Sequence, residues 1–131
     1  ADGLTDRVHM LGLRCDVTNV LASLDVFVLP THQEALGTAF IEAAAMGLPA
    51  IGSRVDGVPE VLADGESGIL VPARDGAALA AAIIQLLDDP SLRKRMGSYA
   101  STRIRQLYSR SSMAENMARL YHALLNPSVG R

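Results

Sequence analysis

Residues 25–52 read DVFVLPTHQEALGTAFIEAAAMGLPAIG, and this stretch decides the fold. An aliphatic run from Asp25 to Leu29 stops at Pro30, a polar loop follows from Thr31 to Gly37, and an Ala-rich segment of high helix propensity closes on Gly47 and Pro49. A second aliphatic run, Pro49 to Gly52, comes directly after. The order is therefore strand, loop, helix and strand, with Thr38 as the expected helix cap.

The same alternation extends in both directions. Arg7 to Leu11 and Ile69 to Val71 read as further strands, and Asp16 to about Leu24 as a helix capped by Asp16. The segment PEVLAD after Pro49–Gly52 allows a turn or two of helix, and Asp75 starts a longer one through Leu87 that stops at Asp89-Pro90. Helices at roughly Ser91–Leu107 and Ser112–Leu125 complete the chain, the last with Met113, Met117, Leu120, Tyr121 and Leu124 as an apolar stripe. Strand-helix alternation with short connections predicts an α/β fold with a parallel sheet of about four strands and flanking helices. Strands as continuously apolar as VFVLP predict that both faces are covered.

Composition narrows the function classes. The 131 residues are 49% hydrophobic and 20% charged with a net charge of −2, which excludes a disordered polymer. The longest uncharged runs, such as Ala43–Ser53, are broken by Gly and Pro and are too short to span a bilayer. The single cysteine, Cys15, cannot form an internal disulfide, and no leader-like start is present, so a cytoplasmic setting is expected. Charge is divided along the chain. Residues 1–90 hold four arginines against thirteen acidic residues, a net −9, and residues 91–131 hold seven arginines and Lys94 against Glu115, a net +7. The basic third reads as a solvated or domain-facing surface, with peripheral contact to anionic lipid at the inner face of the membrane as the alternative. No nucleic-acid partner is expected.

In an open parallel sheet, ligands bind beyond the carboxyl ends of the strands, where helix N-termini point. That rule selects the loops Thr31–Gly37 and Ser53–Val58. Unpaired N–H groups around Leu36 to Ala39 would hold a phosphate there. Glu34 and Glu42 flank them and, as ionised carboxylates, are strong acceptors for vicinal diols. A nucleotide sugar has that layout: ribose, diphosphate, hexose. The plainer reading is equally open at this point, with Glu42 complementing the helix N-terminus and Glu34 a solvated loop residue. Gly57 would serve a positive φ, a close ligand approach or an ordinary turn. His9 and His122 have no ligand-like neighbours at suitable spacing, so no metal site is expected. Walker, Gly-x-Gly-x-x-Gly and Gly-x-Ser-x-Gly signatures are absent from the sequence.

Taken together, PTHQEALGTAFIEAAAMGLPAIGS and VDGVPEVLADGESGILV closely resemble glycosyltransferase family 4, in the nucleotide-sugar-binding domain of its two-domain GT-B fold. The resemblance covers residues 7 to 125. It implies a retaining transfer of sugar from a nucleotide-diphosphate donor to an acceptor, with no cofactor and no required bound metal. Glu34 matches the glutamate that contacts the donor sugar, Ala35, Leu36, Gly37 and Thr38 the segment whose amides hold the diphosphate, and Glu42 the glutamate on the ribose. His32 is a further candidate for the sugar, and Gly12 to Arg14 the neighbourhood of the base. Ala35 stands where a glycine is common, and Asp56 where the family often has the first of two glycines. Both departures bear on the donor's identity more than on the fold.

The resemblance also implies what lies elsewhere. The family's Arg and Lys that clamp the diphosphate come from an upstream region, as does the acceptor-binding N-terminal domain, so the chain reads as the carboxyl-terminal portion of a larger enzyme and is expected to be inactive alone. Arg14 and Arg54 are the nearest candidates to substitute for the clamp, but neither sits at the matching place. Residues 1–107 would form a partial Rossmann-like domain, 108–125 a helix packing toward the missing domain, and 126–131 a frayed tail. In the related domain two absent strands lie between Arg7–Leu11 and Asp25–Leu29. Either the first strand re-pairs beside VFVLP, or the open edge there drives homodimerisation or segment exchange. The competing classes are a non-catalytic α/β binding or interaction module and a nucleotide-sugar epimerase of similar fold.

Overall fold

The computed structural model describes residues 3–126. A three-stranded parallel sheet in the order β1-β2-β3 forms its centre, from Phe27–Leu29 (β1), Ala50–Ser53 (β2) and Gly68–Val71 (β3). Phe27 pairs with Ala50, and Ala50 in turn with Gly68. Around it lie α1 (Val17–Ala22), α2 (Thr38–Ala45), α3 (Val58–Val61), α4 (Gly76–Asp88), α5 (Pro90–Leu107) and α6 (Arg110–Leu125).

The period-two alternation of the strands divides the core into two layers. Ala50, Leu70, Phe27 and Leu29 pack with Phe40 and Ala44 of α2, Val58 and Val61 of α3, and Ala100 and Ile104 of α5. Ile51, Ile69, Val71 and Val28 pack the other way, against Ala82 and Leu86 of α4 and Leu92 and Met96 of α5. Both faces are covered, as the apolar strands require. Phe40 is 1% exposed and meets Phe27 edge-on, ring centroids 5.5 Å apart. Such a pair adds about 0.5–1.5 kcal/mol beyond its buried area.

Three expectations need correction. Arg7–Leu11 forms no strand, so the sheet has three strands among the described residues rather than about four. The segment does not pair beside β1: Arg7 and Val8 donate their N–H groups to the Leu4 carbonyl in a local turn, and Met10 is 92% exposed. A parallel strand is held only by a neighbouring edge, and the neighbours implied for this one are not among the described residues. Thr38 does not cap α2. Gly37 does, in the left-handed conformation at φ 81°, and Thr38 is the first helical residue. Asp16 flanks α1 without a side-chain capping bond, because its carboxylate is engaged by Arg14. The expected frayed tail, residues 126–131, lies outside the described residues apart from Asn126.

Asp75 caps α4 where the sequence starts that helix, accepting the Ala78 N–H, and Asp89, expected only as part of the helix stop, also caps α5 by accepting the Leu92 N–H. Among the described residues no helix is long and apolar enough to cross a membrane.

Candidate functional site

The carboxyl ends of β1 and β2 feed two loops that lock together. Glu34 donates its N–H to Asp56 Oδ2 at 3.1 Å, and Gly57 donates its N–H to the Glu34 carbonyl at 3.1 Å. The loops are so close at Gly57 that an added Cβ would lie 2.2 Å from the Ala35 carbonyl oxygen. Gly57 itself has φ −78°, so it serves the close backbone contact between the loops and not a positive φ. The positive φ belongs to its neighbour Asp56, at 41°.

The Glu34 side chain is half-buried and turns toward the start of α2, where Oε1 accepts the Gly37 N–H at 3.0 Å. That N–H is therefore already committed, one fewer than the four amides the sequence suggested. The N–H groups of Leu36, Thr38 and Ala39 have no acceptor among the described residues. They form a cluster of donors at a helix N-terminus, where the backbone dipoles favour negative charge.

Glu42 lies one turn into α2 beyond Thr38 and is exposed. It lines a groove of about 290 Å³ with Ala45 and Met46 of its own helix and Val17, Thr18 and Leu21 of α1. Along the chain the order is the Glu34 carboxylate, the free amides at the start of α2, and then Glu42, which lines a partly apolar groove.

The remaining candidates lie apart from this set. His32 is exposed and edges another cavity, of about 260 Å³, with Ser53, Pro72, Arg74 and Leu79. Arg14 makes a bidentate pair with Asp16, at 2.8 and 2.6 Å, and holds that carboxyl below its usual pKa. Arg54 is paired with Asp64. Both proposed clamp substitutes are engaged with carboxylates. No group of three or more His, Cys, Asp or Glu side chains among the described residues could hold a metal ion. The sequence marked Asp56 only as a departure from glycine, and the bond it accepts from the Glu34 N–H was missed. Its signal was present, since Asp is one of the few side chains that tolerate a left-handed position where glycine is common.

A parallel α/β unit with a helix N-terminus and two interlocked loops at the carboxyl edge of its sheet has the architecture of the C-terminal domain of a GT-B glycosyltransferase. Residues 1–89 match the family Glycosyl transferases group 1, and the chain belongs to it. N-acetyl-α-D-glucosaminyl L-malate synthase of Bacillus anthracis is 34% identical over 122 residues, 93% of this chain and 32% of that protein. Sucrose-phosphate synthase of Thermosynechococcus elongatus superposes with a TM-score of 0.82 at 35% identity, covering 95% of this chain and 32% of that one. Anabaena HepE, solved in complex with UDP, superposes at 0.86 with 24% identity over 92% of this chain and 34% of its own, a likeness of fold. The chain spans about a third of the length of these relatives.

Proposed function

We propose that the chain is the donor-binding portion of a retaining family 4 glycosyltransferase that moves a sugar from a nucleotide-diphosphate donor to an acceptor. The observation that carries this reading is the row of uncommitted N–H groups, Leu36, Thr38 and Ala39, between Glu34 and Glu42. A diphosphate lies on those amides, with Ala35 and Gly37 shaping the loop beneath it. Glu34 accepts hydroxyls of the donor sugar and Glu42 those of the ribose. The base then occupies the groove between α1 and α2, toward Gly12–Arg14. HepE, bound to UDP, makes a uridine nucleotide the first to try.

Catalysis on this reading is electrostatic. As the glycosidic bond breaks, negative charge grows on the leaving diphosphate, and prepositioned amides stabilise it without reorganising. Glu34 positions the sugar while holding the Gly37 N–H that fixes the start of α2. The basic clamp and the acceptor site belong to an N-terminal domain of the whole protein, which works in the cytoplasm; the basic third of this chain faces that domain or the membrane surface.

In the full-length protein, Glu34→Gln and Glu42→Gln each lower kcat/KM for the donor by about 10–100-fold, the loss expected when a charged hydrogen-bond partner is removed. Wild-type donor kinetics in both variants would refute the assignment. Thermal-shift titration with UDP, GDP, ADP and their sugars tests for a nucleotide site, and no stabilisation by any of them would favour a pure interaction module.

A further inference from the structure

We propose that Asp56 is a positioning residue for the donor sugar, acting through Glu34. This rests on the reading of Glu34 given above. Three hydrogen bonds run in series across the two loops. Asp56 Oδ2 accepts the Glu34 N–H at 3.1 Å, the Glu34 carbonyl accepts the Gly57 N–H at 3.1 Å, and Glu34 Oε1 accepts the Gly37 N–H at 3.0 Å. The backbone of Glu34 is thus held on both sides by the β2–α3 loop, and its carboxylate is held against the first turn of α2.

The backbone at Asp56 argues that its side chain is the reason for its presence. At φ 41° an L-residue is disfavoured and glycine is not. Glycine would serve the turn at lower cost. An aspartate there sets the cost of the left-handed backbone against a bond that reaches a residue 22 positions away, on the other loop. Without that bond the Glu34 backbone is held to the β2–α3 loop by the Gly57 contact alone, and the carboxylate loses part of its fixed bearing on the sugar and the Gly37 amide. A misplacement of about 1 Å at such a group costs on the order of 100-fold in rate.

The test compares Asp56→Gly with Asp56→Asn in the full-length protein. Glycine relieves the backbone and removes the acceptor; asparagine tolerates the left-handed conformation and retains an acceptor oxygen. Hydrogen–deuterium exchange of residues 32–37 is read without ligand, and kinetics with UDP-glucose, GDP-mannose and ADP-glucose, using whichever is turned over. Asp56→Gly speeds exchange at the Glu34 amide by roughly tenfold or more and lowers kcat/KM by about 10–100-fold, while Asp56→Asn recovers most of both losses. A turn-only role predicts the reverse order, with glycine equal to or better than wild type, and that result overturns the proposal. Glu34→Gln is run in parallel. If it keeps wild-type kinetics, the assignment of Glu34 fails, and the exchange data still decide whether Asp56 holds it. If Glu34→Gln is impaired and Asp56→Gly is not, the positioning role alone is refuted.

Discussion

Gly57 shows how one missing side chain sets the geometry of the site. Its hydrogen atom faces the Ala35 carbonyl, and a methyl there would sit 2.2 Å from that oxygen, well inside contact. Gly57→Ala therefore separates the two loops, breaks the Gly57–Glu34 bond, and destabilises the protein by about 1–3 kcal/mol, as forced overpacking does. Urea denaturation measures the loss, and an unchanged midpoint would show that the loops have slack. Spacing and residue type single out Glu34 and Glu42 as candidates and leave open whether they act as a pair. The Asp56–Glu34 link was not legible there, because it joins residues 22 apart through a side chain whose orientation depends on a left-handed backbone. Arg14 and Arg54 illustrate the opposite limit. As isolated letters they suggested a phosphate clamp, yet each lies beside a carboxylate, Asp16 and Asp64, that engages it.

Among the elements, α2 carries both the core and the site. Its buried side, Phe40, Ala43 and Ala44, anchors the helix on β1 and β2, while its start presents the amides. Phe40→Ala removes a ring that is 1% exposed and packed on Phe27, and costs about 3–5 kcal/mol by denaturant titration. A loss under about 1 kcal/mol would mean that the layer collapses to refill the space. Helices α4 and α5 were legible to within a residue or two because Asp75 caps the first and the Asp89-Pro90 step divides them. Arg7–Leu11 was misread for a physical reason. Residue type records a strand's preference for a pleated, half-buried surface, but not whether a neighbouring edge is there to supply its hydrogen bonds.

At the scale of the molecule, the charge division follows the architecture. The acidic residues 1–90 contain the sheet and both site loops, and the basic remainder is the helical pair α5 and α6. Helix α6 buries no residue. It leaves Met113, Met117, Leu120 and Leu124 between 46% and 67% exposed, and with Leu107 and Tyr108 its first turns border a trough of about 330 Å³. An amphipathic helix without a covered face gains little from folding against its own domain. On the proposal that α6 packs toward an N-terminal domain, the double substitution Met117→Glu with Leu120→Glu has opposite effects in two settings. In the 131-residue chain it breaks no buried contact, so denaturant stability stays within about 0.5 kcal/mol. Self-association through the apolar face, read by sedimentation velocity, falls. In the full-length protein the same charges are driven into an interdomain contact, and stability drops by several-fold that amount with donor turnover reduced alongside it. Equal tolerance in both settings would show that α6 has no such partner, leaving the edge of β1, which pairs with no further strand among the described residues. Its unpaired N–H and C=O groups can recruit a second chain, and association would then persist in the double variant.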